Sequence, residues 1–355
     1  MSIVSIARED IRQLKPYASA RAIAGMAPVT LNANESPFLS PADPGLGLNR
    51  YPDPQPGELV QRVASLFELA PEQVLVGRGS DEGIDLILRA FCRAGQDAMV
   101  QCPPTFGMYA IAARIQGAGI VDVPLISDTF KLDETGVLAA CDEQPVKVVF
   151  LCSPNNPTGN AIDLDTVARI CESLAGRALV VVDEAYGDFC DTPGAVTLLQ
   201  RFDNLAVLRT LSKAYALAGL RCGLVLSHPE VISLLLRILA PYPVPAQTAD
   251  VVLRALGEAQ RREQQKVVSV LIDSRDNLFK QLKNIKIVEK VWPSEGNFLL
   301  FRVAQGHDLW RYLADQQVLV RDVSHYPGLD NCLRVSVGAA HENARFLSLL
   351  EDYRP

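Results

Sequence analysis

Apolar and polar positions follow one another in blocks, and from about residue 74 short apolar runs alternate with amphipathic segments. Runs such as VVFLC (148–152) and ALVVV (178–182) are apolar at consecutive positions, which predicts strands that are buried on both faces. Segments such as DLDTVARICESLAG (163–176) space their apolar residues at helical intervals. The alternation predicts an α/β fold in which helices cover both faces of a mainly parallel sheet.

Glycine turns and polar residues follow several of the predicted strands. VLVGRGS (74–80) predicts a strand that ends in a glycine turn, and the helix predicted over 81–95 has Ser80 or Asp81 as its N-cap. In sheets of this kind, ligands bind beyond the carboxyl ends of the strands. The functional site is therefore expected at that edge of the sheet.

A change of pattern at the three prolines of PYPVP (241–245) predicts a second domain. A long polar helical stretch follows over about 248–284, and the rest of the chain alternates short strands with helices. This order predicts a smaller α+β domain. We expect an N-terminal arm over 1–39 that contributes to the small domain and to a dimer, a large ligand-binding domain over 40–245 and a small C-terminal domain over 246–355.

Composition and charge argue against several classes of protein. The 355 residues are 48% hydrophobic and 21% charged, and the net charge is −7 without a basic block, which argues against nucleic-acid binding. Charged residues from Arg8 to Asp10 come too early for a signal peptide, and no apolar run is long enough to span a bilayer. We expect a soluble, cytoplasmic protein that does not bind membranes.

The cysteines and histidines do not form a metal-site pattern. None of the eight cysteines forms a CxxC pair, and the four histidines are scattered along the chain. Most of the cysteines lie in apolar runs, so we expect buried free thiols and no metal.

Four motifs occur in a fixed order at the ends of predicted strands: SPNNPTG (153–159), VVDEAY (181–186), TLSK (210–213) and GLRCG (219–223). In these motifs the chain resembles the fold-type I, pyridoxal-phosphate-dependent aminotransferases of class I/II. The resemblance extends over residues 31–338. It implies a seven-stranded, mainly parallel sheet between helices, a smaller α+β domain, and pyridoxal 5′-phosphate as the cofactor.

Lys213 and Asp183 are the expected catalytic pair. The resemblance implies that Lys213 forms a Schiff base with the cofactor and later moves a proton at the substrate α-carbon. Such a lysine must be a free amine, which a dry pocket rich in cations favours. Asp183 ends an apolar strand, and its carboxylate would keep the cofactor's ring nitrogen positively charged. The alternatives are an exposed lysine at a strand end and an aspartate that caps the next segment.

Three further residues are expected to hold the cofactor ring. The resemblance implies that Tyr186, the third catalytic residue, and Asn156 both donate hydrogen bonds to the phenolate oxygen. Phe106 matches the position whose ring stacks on the cofactor, and Tyr109 is the competitor for that role. For both aromatic residues, plain core packing is the alternative.

The cofactor phosphate needs amide donors and positive charge. Gly79, Ser80 and Asp81 stand at a turn that opens a helix, where free N–H groups attract anions. The resemblance adds the Ser212 hydroxyl and the Arg221 guanidinium, which can grip phosphate oxygens as a fork.

Three flanking stretches, IRQLKPYASAR (11–21), LNANESPF (31–38) and NRYPDPQ (49–55), resemble the histidinol-phosphate aminotransferases in particular. That subfamily exchanges an amino group between L-histidinol phosphate with its keto partner, imidazole-acetol phosphate, and glutamate with 2-oxoglutarate, in L-histidine biosynthesis. The resemblance also implies a homodimer in which Tyr51 reaches the cofactor phosphate of the neighbouring subunit.

Both expected substrates carry anionic groups, and arginine matches either a phosphate or a carboxylate. The resemblance assigns this role to Arg334, with Arg321 as a second donor and Tyr17 as a residue that closes over the phosphate. Arg345 and Arg21 are weaker candidates, and for each of the arginines a surface ion pair is the alternative.

Other functions compete with this interpretation. A threonine-phosphate decarboxylase shares these motifs, and an aromatic amino-acid aminotransferase shares the fold. A non-catalytic sensor of this fold would carry a fused DNA-binding domain, which does not fit before residue 31. A dehydrogenase is disfavoured because no GxGxxG motif follows a strand.

Overall fold

A computed structural model describes residues 2–17 and 29–354 of the chain. Within this part, no helix combines the length and the apolar surface needed to cross a bilayer. All eight cysteines are free thiols, and six of them are buried.

The large sheet has seven strands in the order β1-β7-β6-β5-β4-β2-β3. The strands are β1 (Val74–Gly77), β2 (Ala98–Gln101), β3 (Gly119–Asp122), β4 (Val146–Cys152), β5 (Leu179–Asp183), β6 (Leu205–Thr210) and β7 (Gly223–Ser227). Only β7 runs against its neighbours, pairing antiparallel with both β1 and β6. The sheet is therefore mainly parallel, as the sequence predicts.

Alternate residues of the central strands pack into two separate cores. In β4, Val148 and Phe150 belong to the core on one face, whereas Val149 and Leu151 belong to the core on the other. Consecutive apolar residues are needed because helices cover both faces and exclude water from each.

Helices lie before, between and after these strands. They are α1 (Glu9–Gln13), α2 (Gly57–Leu66), α3 (Ser80–Phe91), α4 (Met108–Gln116), α5 (Glu134–Glu143), α6 (Leu164–Ser173), α7 (Pro229–Leu236), α8 (Ala246–Ala255) and α9 (Glu258–Leu282). The long helix predicted over 248–284 is thus two helices, because Gly257 separates them and has extended backbone angles.

A second sheet of four antiparallel strands lies in the C-terminal part, in the order β10-β11-β9-β8. Its strands are β8 (Val288–Val291), β9 (Phe298–Val303), β10 (Arg321–Asp322) and β11 (Cys332–Ser336), with helices α10 (Gly306–Asp315) and α11 (Ala340–Asp352). Leu299, Phe301 and Leu333 pack with helix residues into a core of its own. The predicted fold class is confirmed, while the domain boundaries at 39 and 245 stay predictions.

Candidate active site

Neighbouring strands bring the four motifs to one edge of the large sheet. Strands β4, β5 and β6 are adjacent and parallel, so the segments that follow them lie side by side. Strand β7 runs the other way, and its first residue, Gly223, pairs with Thr210, the last residue of β6. The arrangement follows from topology, because carboxyl ends of parallel strands share an edge.

Asp183 lies at the centre of this edge and is 2% exposed. The Ala185 N–H donates to its Oδ1 at 3.1 Å, and the Tyr109 hydroxyl donates to its Oδ2 at 2.7 Å. Burial raises the pKa of Asp183 to about 6, although both hydrogen bonds act in the opposite direction. A buried carboxylate of this kind is stabilised by a cation, and a protonated ring nitrogen is such a partner.

Lys213 follows the end of β6, with its Nζ 5.6 Å from the centre of the Tyr186 ring. Desolvation and then the charge of Arg334 lower the pKa of Lys213, and Arg221 adds to the effect. Lys213 is exposed when the whole residue is considered, in contrast to the dry pocket that the sequence predicts, although the surrounding protein still desolvates its ammonium group. The nearby cations are present as predicted, and they favour the free amine.

Tyr186 is 7% exposed, and its ring meets Phe298 edge-on at 5.0 Å between centroids. Burial raises the pKa of Tyr186 to about 12, so the hydroxyl stays protonated and can donate a hydrogen bond. This contact joins the large-sheet edge to the second sheet, because Phe298 is the first residue of β9.

A cradle for a phosphate group lies where β1 turns into α3. Gly79, with φ +90°, precedes the helix as its N-cap, so the predicted Ser80 or Asp81 cap is one residue or more too late. Within the described part of the chain, the amide nitrogens of Ser80 and Asp81 donate to no protein acceptor. Free amides at the first turn of a helix attract anions.

Close backbone packing forms this cradle. A Cβ on Gly223 would lie 2.2 Å from the Ser80 nitrogen, and a Cβ on Gly79 would lie 2.8 Å from Arg221 Nη2. Arg221 itself has a left-handed backbone, with φ +53°, and its Nη2 donates to Asp81 Oδ2 at 3.2 Å. Glycines are required here because side chains would fill the space that backbone and guanidinium occupy.

Ser212 is connected to the same cradle by a hydrogen bond with Thr210. The Thr210 hydroxyl donates to Ser212 Oγ at 2.9 Å, and Thr210 pairs with Gly223, which packs on the Gly79–Ser80 backbone. Thr210 thus links Ser212 to the turn that contains Gly79, Ser80 and Asp81.

Arg334 and Asn156 meet across the cleft between the two sheets. Arg334 Nη1 donates to Asn156 Oδ1, and the guanidinium lies 5.4 Å from the centre of the Phe298 ring. Arg334 Nε is buried and has no partner among the described residues. Desolvation lowers the pKa of Arg334, and the charge of Arg321, its partner across β10 and β11, lowers it further. An uncompensated cation with an unused donor suits an anionic substrate.

The two candidate stacking residues have different surroundings. Tyr109 is fully buried, its ring stacks on Phe150 at 4.7 Å, and its hydroxyl is used by Asp183. Phe106 is only partly buried and meets Tyr109 edge-on at 5.6 Å. Phe106 is therefore the more accessible of the two rings.

Sequence reasoning missed a buried ion network behind the site. Arg209 pairs with Glu184 at 3.0 Å and with Asp188 at 2.8 Å, and it is 9% exposed. Glu184 lies between Asp183 and Tyr186 in the chain, and Asp188 follows Tyr186 by two residues. The signal in the sequence is the arginine inside an otherwise apolar strand, since a buried charge requires partners.

Some predicted residues are not brought to this cluster. Tyr17 is 73% exposed at the end of the described N-terminal segment, and Tyr51 is 48% exposed, stacked on Tyr242 at 4.6 Å. Arg345 is exposed and donates to Gln316 at 3.4 Å. Arg21 lies outside the described residues.

The model for Aminotransferase class I and II matches residues 28–352. The chain belongs to this family. It is 47% identical, over 99% of its length and 97% of the relative's, to the histidinol-phosphate aminotransferase of Xanthomonas euvesicatoria pv. vesicatoria.

Solved structures share the fold. Histidinol-phosphate aminotransferase from Sinorhizobium meliloti, in complex with pyridoxal-5′-phosphate, has a TM-score of 0.78 at 24% identity, covering 86% of this chain and 83% of that one. L-threonine-O-3-phosphate decarboxylase from Porphyromonas gingivalis has a TM-score of 0.72 at 23% identity, covering 86% and 90%. At these identities the likeness concerns the fold and does not separate the two activities.

Proposed function

We propose that this aminotransferase exchanges an amino group between L-histidinol phosphate and 2-oxoglutarate, giving imidazole-acetol phosphate and glutamate, in L-histidine biosynthesis. The observation that carries the proposal is the 47% identity to a histidinol-phosphate aminotransferase over 99% of the chain. The location that fits this role is the cytoplasm.

Pyridoxal 5′-phosphate, when bound, supplies an electron sink for the pair released at the substrate α-carbon. The cradle, the buried carboxylate and the partly exposed ring of Phe106 fit that group. We assign its binding to Gly79, Ser80, Asp81, Phe106, Asn156, Asp183, Tyr186, Ser212, Lys213, Arg221 and the partner's Tyr51.

Lys213 performs the proton transfer. As a free amine, its Nζ would take the proton from the α-carbon of the amino donor, and the ammonium so formed would deliver it to C4′ of the cofactor within the same half-reaction. In the opposite half-reaction the proton would move from C4′ back to the α-carbon. Arg334 and Arg221 favour the free amine because each adds positive charge nearby. Tyr186, with a pKa raised to about 12, remains a hydrogen-bond donor throughout.

Substrate anions bind at the arginine pair of β10 and β11. Arg334 and Arg321 are directly opposite each other, and Arg334 Nε is an unused buried donor. A phosphate or a carboxylate satisfies that donor and offsets the repulsion between the two guanidinium groups. The same pair can therefore accept both histidinol phosphate and glutamate, and Tyr17 is the residue we assign to cover the phosphate.

A donor comparison tests the proposal. Purified protein with pyridoxal phosphate and 2-oxoglutarate is offered histidinol phosphate, threonine phosphate or phenylalanine, and glutamate and carbon dioxide are measured. We expect glutamate to form fastest with histidinol phosphate. Faster transfer from phenylalanine would contradict the proposed specificity, and carbon dioxide from threonine phosphate would identify a decarboxylase.

Arg334→Lys is expected to raise the KM for histidinol phosphate by about 10- to 100-fold. Lysine keeps the charge but loses the planar fork, and one hydrogen bond to a charged group contributes roughly 1.5–3 kcal/mol. Steady-state kinetics measures the change. Arg311→Lys, on the exposed side of α10, is the matched control. An unchanged KM in the Arg334 variant would exclude a substrate contact.

The N-terminal part of the chain supports a homodimer. Nine of the sixteen large, exposed hydrophobic side chains in the described residues lie between positions 14 and 51, including Leu31 at 88% and Phe38 at 78% exposed. A concentration of exposed apolar side chains marks a protein interface. We propose that a second copy of the chain covers them and that Tyr51 of each subunit serves the other's site.

Co-expression of two defective subunits tests the shared site. A Lys213→Ala subunit keeps a normal Tyr51, and a Tyr51→Ala subunit keeps a normal Lys213, so a mixed dimer contains one site with both residues intact. We expect the mixed dimer to recover up to about half of the wild-type activity. No recovery above the average of the two parent dimers would mean that Tyr51 acts in its own subunit.

A further inference from the structure

Tyr109 bonds to the catalytic carboxylate, a contact between residues 74 positions apart in the chain. We propose that Tyr109 is a positioning residue, which orients the Asp183 carboxylate toward the cofactor's ring nitrogen by donating a hydrogen bond to Oδ2. The inference depends on the cofactor of this family and not on which amino donor the enzyme uses.

The carboxylate has one donor on each oxygen. Ala185 N–H donates to Oδ1 at 3.1 Å and Tyr109 O–H to Oδ2 at 2.7 Å, and the described residues supply no other hydrogen bond to either atom. The Ala185 bond is local, since it spans two residues, and it leaves the carboxylate free to turn about its bond to Cβ. The Tyr109 bond comes from another element and fixes that rotation.

Tyr109 is itself held rigidly. It lies in the first turn of α4, is fully buried, and stacks on Phe150 with the two rings 4.7 Å apart and 7° from parallel. Phe150 is in β4, the strand beside β5. The Tyr109 ring is therefore packed against the same sheet that carries Asp183. Burial raises the pKa of Tyr109 well above its ordinary value, so the group remains a donor.

The contact also connects two cofactor-binding residues. Phe106, whose ring is assigned to the cofactor, lies edge-on to Tyr109 at 5.6 Å. One tyrosine thus contacts both the stacking residue and the carboxylate, and the two are placed relative to each other by a single ring. Removing only the hydroxyl separates the hydrogen bond from the packing.

Tyr109→Phe tests the proposal through cofactor affinity, without an activity assay. The dissociation constant of pyridoxal phosphate is measured by absorbance titration of the cofactor-free protein at pH 6 and pH 8. We expect a dissociation constant at least about fivefold higher than in the wild type, because a hydrogen bond to a charged group is lost. Tyr353→Phe, which removes a hydroxyl from a tyrosine that is also buried and that packs on Tyr312, is the matched control.

The pH comparison distinguishes positioning from packing. The hydrogen bond from Tyr109 lowers the pKa of Asp183, so its loss raises that pKa and leaves more of the carboxylate protonated at pH 6. The affinity ratio between variant and wild type should therefore be larger at pH 6 than at pH 8. The other groups that interact electrostatically with Asp183 are Asp81, Glu184, Cys152, Tyr186 and Lys213, and the variant leaves all of them in place.

A double-mutant cycle tests whether Tyr109 acts through Asp183. In an Asp183→Ala background the acceptor is absent, so we expect Tyr109→Phe to change the dissociation constant by less than about twofold. An equal effect in both backgrounds, or an affinity ratio that does not change with pH, would overturn the proposal. Thermal unfolding of the cofactor-free variants, expected to match the wild type within a few degrees, checks that each one folds.

Discussion

Lys213→Ala is expected to lower turnover by about 10⁴-fold or more, because the variant loses both the covalent attachment and the proton carrier. Desolvation and the nearby charges of Arg334 and Arg221 lower the pKa of Lys213, which favours the free amine that this role requires. Two measurements check the result. The first is the rate of glutamate formation, and the second is the visible absorbance that remains with the protein after free cofactor has been removed by gel filtration.

The matched control is Lys280→Ala, on the exposed side of α9. It removes the same charge and the same side chain from a position outside the site, and we expect wild-type turnover and absorbance. Near-normal turnover in the Lys213 variant would rule out the proposed role, whereas lost turnover in both variants would point to a general effect on folding.

Asp183→Asn is expected to reduce turnover by about 10²- to 10⁴-fold. Breaking one buried charge pair costs roughly 3–5 kcal/mol, and the neutral amide cannot hold a positive charge on the ring nitrogen. The amide oxygen can still accept the bond from Tyr109, so the fold around it should be kept. Steady-state kinetics at saturating cofactor measures the loss, and Asp273→Asn on the exposed side of α9 is the control.

The same substitution should stabilise the cofactor-free protein. Burial raises the pKa of Asp183 from an ordinary 3.8 to about 6, so the folded state resists ionisation. The stability linked to this proton is complete below the unfolded pKa and is lost as the pH rises through about 6. The advantage of the variant in free energy of unfolding should therefore grow by roughly 1–2 kcal/mol between pH 5 and pH 8.

Urea unfolding of both cofactor-free proteins at the two pH values measures this difference. A constant difference would mean that Asp183 ionises as readily in the folded as in the unfolded chain. A growing one would identify the carboxylate as a group that costs stability and is retained for its function.

Much of the fold follows from local pattern. Strands β4 and β5 are recognisable because nearly all of their residues are apolar. A strand with this pattern must be buried on both faces. Once these strands and the next one, β6, are known to be parallel, the residues that follow all three must lie at the same edge of the sheet. The positions of Asp183 and Lys213 could therefore be predicted as neighbours from the sequence.

What the sequence by itself determined was the order of elements, the parallel sheet and the set of residues at its edge, since each depends on neighbours a few positions apart. Only the tertiary structure decided the partners of those residues. Tyr109 bonds Asp183 across 74 positions, and Arg334 bonds Asn156 across 178. Periodicity contains no information on such pairs, because they exist only after the sheets and helices have packed and brought distant segments within a few ångströms.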